Sequence, residues 1–260
     1  MRIPYTLGRF IALPLLPIIF YQGKRIRATI PRLPESTGPQ GSASCENAVD
    51  TPLRLITLGE STIAGVGVST HEEGFTGELA RRLAQHYRRD VQWRVYAESG
   101  ATARYAVESL VPSITASSAD LIVVGLGAND AFTLNSPRRW AEHIGQLIDS
   151  LRTRFPRTPI VFCNMPPIKE FPAFMGPIRW VIGSLVELHG QALRHAVRDM
   201  PDVYYAAERI TFREWVGKSE HQLRRSDFFS DGVHPSKLTY RLWASEIGKI
   251  IGQKVVLSDT

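Results

Sequence analysis

The stretch Leu53-Arg54-Leu55-Ile56-Thr57-Leu58-Gly59-Glu60-Ser61 decides how this chain is read. Residues 53–58 are rich in branched apolar side chains and are bounded by Pro52 and Gly59, the pattern of a buried strand. Ser61 then falls just past the carboxyl end of that strand, the edge at which open α/β sheets bind ligands. Gly59, two residues earlier, lets the backbone turn tightly beside a substrate. A serine after a strand is more often a turn residue or a helix cap. Its meaning therefore depends on residues far downstream in the chain.

Beyond Ser61, strands and helices alternate. Residues 91–97, 121–126, 160–163 and 203–206 read as further strands, and 121–126 is apolar throughout, as a central parallel strand requires. Between and after them, 74–89, 103–111, 137–155, 178–200 and 235–251 carry helical spacing. In 137–155, for example, Trp140, Ile144, Leu147, Ile148 and Leu151 share one face behind Pro137. Such βα alternation predicts a parallel sheet covered by helices on both faces.

The 260 residues suffice for one large domain or for one domain plus an appendage. Hydrophobic and charged fractions of 43% and 22% are those of a globular protein. Two cysteines, Cys45 and Cys163, exclude a disulfide framework. The net charge of +6 suits an anionic membrane surface or nucleic acid, and no nucleic-acid motif accompanies it. Residues 1–32 stand apart. An uncharged apolar run over 10–20, interrupted by Pro14 and Pro17, is too short to span a bilayer, which takes ~20 residues. No small-residue cleavage site comes after it; Lys24, Arg25 and Arg27 do, and positive charge there opposes export. The segment reads as an anchor on the cytoplasmic face of an anionic membrane, against two rivals: an arm packed on the domain, or an export signal to the periplasm. Residues 33–52, rich in Pro, Ser and Gly, read as a linker, so that the folded domain covers 53–260.

Four segments fall in loops that a parallel sheet can bring to one edge: Gly59-Glu60-Ser61, Glu98-Ser99-Gly100-Ala101, Gly127-Ala128-Asn129-Asp130 and Ser230-Asp231-Gly232-Val233-His234-Pro235. Their residue types suit acyl transfer. A serine hydroxyl needs a base, and His234 can serve. Asp231, three residues earlier, can orient the imidazole. An oxyanion needs fixed donors, which the Ser61 N–H, the Gly100 N–H and the Asn129 side-chain amide could supply. Singly, each block reads as a turn or cap. The remaining histidines, His71, His86, His143, His189, His195 and His221, fall on helices or polar loops and read as surface or partly buried, without a role.

Taken together, these blocks resemble the GDSL/SGNH hydrolase family, over roughly residues 53–251. Ser61, Gly100, Asn129 and His234 would be its four named residues, in the family's chain order. The resemblance implies a three-layer α/β/α, flavodoxin-like fold with about five parallel strands, and a serine esterase or lipase without cofactor or metal. One departure is Glu60, where the family usually has Asp beside the nucleophile. Rival motifs fail. Ile63 replaces the second glycine of the Gly-x-Ser-x-Gly elbow. Gly65-Val66-Gly67 lacks the third glycine of a dinucleotide loop, and Phe212 stands where a P-loop before Gly217-Lys218-Ser219 needs glycine.

Residues 164–181 carry many large apolar side chains among prolines. Phe171, Phe174 and Met175 are the candidates for an acyl-binding wall, suiting a lipid or medium-chain ester, as in a lysophospholipase or thioesterase; the plainer alternative is a cover for the sheet. Transfer of an acyl group to or from a sugar or lipid, and a silent membrane-attached binding module, are the alternative functions.

Overall fold

The computed structural model describes residues 5, 10, 12–48, 51–208, 211–217 and 223–257. Arg2, Arg9 and Ile11 of the amino-terminal segment and His221 lie outside the described residues. Six strands form one sheet: β1 (Gln40–Ala43), β2 (Leu53–Gly59), β3 (Val91–Ala97), β4 (Leu121–Gly125), β5 (Ile160–Phe162) and β6 (Val203–Tyr205). Their order is β1-β3-β2-β4-β5-β6, and β2 to β6 are all parallel. Without β1 this is the flavodoxin-like order, whose direction reverses between β2 and β4.

Among the described residues the helices are α1 (Leu16–Thr29), α2 (Phe75–Tyr87), α3 (residues 103–113), α4 (Ala128–Phe132), α5 (Pro137–Arg154), α6 (Gly176–Ala196), α7 (Phe212–Gly217) and α8 (Lys237–Lys254). The alternation of side chains along β2 divides the core. Leu53 and Leu55 pack with Leu79 and Leu83 of α2 and with Tyr240 and Ile247 of α8. Ile56 and Leu58 point the other way, into a cluster with α3, with Trp140 and Leu147 of α5, and with Leu193 of α6. Thr57, on the α2 side, shares a 2.8 Å hydroxyl bond with Thr76, so that buried polar pair is satisfied. α3 contains a π turn over Ala106–Leu110, just before Pro112, which has no N–H to continue the regular ladder.

One correction concerns residues 33–52, expected to be a linker. Within them, β1 adds an antiparallel edge strand to β3. Ser36 reaches over the loop after β2, donating its hydroxyl to the Gly65 and Val68 carbonyls at 2.8 and 3.0 Å. The Glu35 carboxylate accepts the Ser99 N–H at 2.6 Å. The folded unit therefore begins before Pro52, and two of the loops expected to carry chemistry are strapped by residues 35–36.

α1 packs on the first turns of α6. Ile19 is buried among Ile178, Ile182 and Phe174, and the Gln22 side-chain oxygen accepts the Ile178 N–H at 3.1 Å. That bond satisfies one of the donors a helix leaves open at its start.

Candidate active site

Ser61, Gly100 and Asn129 lie just beyond the carboxyl ends of β2, β3 and β4, on either side of the switch point. Gly59 and Gly125, the last residues of β2 and β4, sit side by side in register. A Cβ on Gly59 would lie 2.2 Å from the Gly125 carbonyl oxygen and 2.5 Å from the Ile63 side chain. Two glycines are thus needed for the chain after β2 to fold back across the end of β4, with Ile63 filling the space above them. This is why isoleucine, and no second elbow glycine, stands at residue 63. The loop is closed by the Ile63 and Ala64 N–H groups on the Glu60 carbonyl and by the Val66 N–H on the Ser61 carbonyl.

The Gly100 segment is a tight turn. Ala101 N–H reaches the Glu98 carbonyl at 3.1 Å. Gly100, its third residue, has φ +90°, the value a type II turn requires and glycine tolerates. Among the described residues, the N–H groups of Ser61 and Gly100 are both without a protein partner.

Asp231 is joined to His234 by two bonds and to Val233 by a third. The Asp231 Oδ2 lies 2.7 Å from His234 Nδ1. Its Oδ1 accepts the N–H groups of Val233 and His234 at 2.9 and 2.7 Å. The carboxylate side chain is 1% exposed and the imidazole 23%. Burial alone would raise the Asp231 carboxyl. The bonds from the His234 ring and from the two backbone groups outweigh it and hold the group below the ordinary carboxylate range. Asp231 is therefore ionised at neutral pH. The loop that carries the pair is fastened to the Ser61 loop. Ser230 Oγ donates to the carbonyls of Gly67 and Pro235, and the Tyr240 hydroxyl donates to the Val66 carbonyl at 2.7 Å. Among the described residues, neither His234 Nε2 nor the Ser61 hydroxyl has a hydrogen-bond partner, so the two are not bonded to each other here.

Asn129 has a fuller set of partners than its sequence block indicates. Its amide nitrogen donates to Glu60 Oε2 at 2.6 Å and to the Ala101 carbonyl at 3.2 Å. Glu60 also accepts the N–H groups of Ala128 and Asn129 at 3.1 and 3.0 Å. The buried glutamate thus braces the ends of β2 and β4 together. Its neighbour Asp130, also buried, accepts the Ala103 N–H at 2.9 Å and the Asn135 amide at 3.0 Å, tying α4 to α3. Sequence marked Glu60 only as a departure; its position between strand end and serine was the available signal. Ser230 and Glu35 carried none.

Burial pushes the Glu60 carboxyl up to about 7, against the lowering effect of its three donors. A folded-state value above the unfolded one means that the native state holds the proton more tightly. The associated stability is fully present below the unfolded pKa of 4.5 and is lost as pH rises through about 7. His189 opposes it. This histidine is fully buried, where a surface or partly buried place was expected, and His71 is buried too. Burial pushes His189 down to about 4, so its contribution grows as pH rises from that value to 6.5. The two slopes oppose each other, and other shifted groups add their own, so a difference is what isolates Glu60. The wild-type advantage over Glu60→Gln in urea unfolding is expected to shrink by on the order of 2–3 kcal/mol between about pH 5 and about pH 8. A difference that stays flat with pH would remove Glu60 from the titration.

The three side chains expected to form an acyl wall meet three environments. Phe174 is buried against Phe132, with ring centroids 5.4 Å apart. Phe171 is half-buried beside Phe229 at 4.9 Å, next to the Asp231–His234 loop. Met175 is 72% exposed. Of the three, Phe171 is the one the structure brings to the Asp231–His234 loop. Among the described residues, no group of His, Cys, Asp and Glu is arranged to hold a metal ion.

The model of the GDSL-like lipase/acylhydrolase family matches residues 57–242. Among curated proteins none matches the chain in sequence. Among solved structures, a putative GDSL-like lipase from Parabacteroides merdae superposes with a TM-score of 0.61 at 16% identity, covering 80% of this chain and all of the other. The lipase Lip_vut3 from a goat rumen metagenome gives 0.56 at 18% identity, over 77% of this chain and 97% of its own. The psychrotrophic esterase EstA from Pseudoalteromonas, in a structure inhibited by monoethylphosphonate, gives 0.51 at 18% identity over the same shares. At these identities the likeness is one of fold.

Proposed function

Because this chain belongs to the GDSL-like lipase/acylhydrolase family, we propose that it hydrolyses carboxylic esters through an acyl-enzyme on Ser61. The observation that carries this reading is the Asp231–His234 pair, joined by two bonds, with a third from the Val233 N–H, on a loop pinned to the serine's own. His234 Nε2 takes the Ser61 proton as Oγ attacks the ester carbonyl, and Asp231 stabilises the imidazolium that forms. The N–H groups of Ser61 and Gly100 receive the oxyanion. Asn129 joins them by yielding the longer of its two amide bonds, that to Ala101. The imidazolium then protonates the leaving alcohol. Water, deprotonated by the same nitrogen, releases the acid and restores Ser61.

An organophosphonate should form one covalent adduct, found by mass spectrometry on the peptide containing Ser61 and absent in Ser61→Ala. Turnover of short soluble esters, scored against graded acyl lengths with and without an alcohol acceptor, identifies the acyl chain and separates hydrolysis from transfer. An adduct on another residue, or ester turnover by a protein that Ser61 labelling does not block, would overturn the assignment.

A further inference from the structure

The charge of this protein is concentrated at one end. Residues 1–34 contain six Lys and Arg and no Asp or Glu, so they hold a net charge equal to the +6 of the entire chain, and the remainder is balanced. The exposed apolar side chains are concentrated in the same region. Of ten large hydrophobic residues exposed among the described residues, seven lie on or before α1 or at the start of α6.

α1 is apolar on two faces, at least in its first half. At about 100° per residue, Ile19, Gln22, Gly23 and Ile26 share a face, and it is this face that meets α6. Phe20 and Tyr21 fall on the far side and are 68% and 66% exposed. A surface helix ordinarily turns polar residues outward. Beside it, Met175 and Trp180 are 72% and 60% exposed. Lys24 lies over the Phe20 ring at 5.4 Å, and Lys169 and Arg179 lie over Trp180 at 5.7 and 5.8 Å. Aromatic side chains flanked by cations suit the headgroup level of a bilayer. No helix among the described residues is long and apolar enough to cross one. A second copy of this chain is a poor occupant, because pairing would set Lys24, Arg25 and Arg27 of α1 against the same three cations.

We propose that α1 and the first turns of α6 form one surface that docks on an anionic lipid bilayer, where it draws the esters on which Ser61 acts from the membrane. The second half of this statement rests on the function proposed above; the first does not. The link to the site is short. The segment leading into α6 touches the catalytic loop through the Ala173 N–H on the Gly232 carbonyl at 3.3 Å and through Phe171 on Phe229.

The full chain should sediment with vesicles of phosphatidylglycerol and phosphatidylcholine, and much less with phosphatidylcholine alone. The pair Lys24→Glu with Arg25→Glu should weaken that binding by at least about tenfold, through lost attraction to the anionic surface. The pair Phe20→Glu with Tyr21→Glu should do so by removing the apolar contribution and adding negative charge, and high salt should release the wild type only in part. Both pairs replace outward-facing side chains and should retain wild-type turnover of a soluble short ester, while losing turnover of a lipid ester presented in the anionic vesicles. Failure of the full chain to sediment would overturn the proposal, as would sedimentation that both pairs retain. A concentration-dependent dimer dissolved by Phe20→Glu with Tyr21→Glu, without vesicle binding, would assign the face to self-association instead. Sedimentation without turnover of any ester would leave docking standing and remove the hydrolase reading.

Discussion

Under the proposed mechanism, Ser61→Ala is expected to lower kcat on a soluble ester by about 10⁶, with little change in KM, because members of a Ser–His–Asp unit act together and their loss is felt as a whole. The size of the effect is set by the groups left in place. The oxyanion donors and the binding surface survive, but water must replace the serine oxygen, and no acyl-enzyme divides the reaction in two. The substitution is also a clean one structurally. The loop around residue 61 is held by backbone bonds on the Glu60 and Ser61 carbonyls, and the Ser61 hydroxyl holds no described residue. Thermal unfolding should therefore be unchanged. A variant that keeps more than about a tenth of wild-type kcat would make Ser61 a turn residue and leave the chemistry elsewhere.

Much of the frame behind that serine was legible in the chain, for reasons that differ between elements. β4 was readable because its five residues are buried on both faces, so that burial itself demands an unbroken apolar run. α5 was readable because one face alone is buried, at helical spacing. β1 was not. Gln40-Gly41-Ser42-Ala43 has no apolar alternation and becomes a strand only because β3 offers a free edge. Strand identity there belongs to the partner.

The site divides in the same way. Asp231 and His234 could be paired from sequence because three residues of turn bring them together locally. The Glu60–Asn129 brace spans 69 residues and exists only once β2 and β4 are in register. A carboxylate one methylene longer than Asp changes what it can reach there, and sequence alone marks the substitution without its partner. His189 did leave a trace: Ile182, Val186, His189 and Leu193 recur at helical spacing, and all are buried on one stripe of α6. Its burial could have been inferred from that period. His71 lies in a polar loop and left no such signal.

The second large effect concerns Asp231. Asp231→Asn should lower kcat by about 10⁴ at neutral pH while the protein remains folded. The geometry separates the two roles of this carboxylate. Oδ1 holds the loop through the N–H groups of Val233 and His234, and an asparagine oxygen can accept both. Oδ2 faces His234 Nδ1, where an asparagine would place an amide that donates. The ring must then accept at Nδ1 and carry its proton on Nε2, the nitrogen that has to take the proton of Ser61. The base is lost by tautomer, with its position intact. Asp231→Ala removes both oxygens and should in addition loosen the loop, lowering the melting temperature as Asp231→Asn does not. Nitrogen-15 spectra of His234 should show the proton on Nδ1 in the wild type and on Nε2 in Asp231→Asn. A loss in kcat of less than about tenfold, with the proton moved as described, would mean that Nε2 of His234 is not the base.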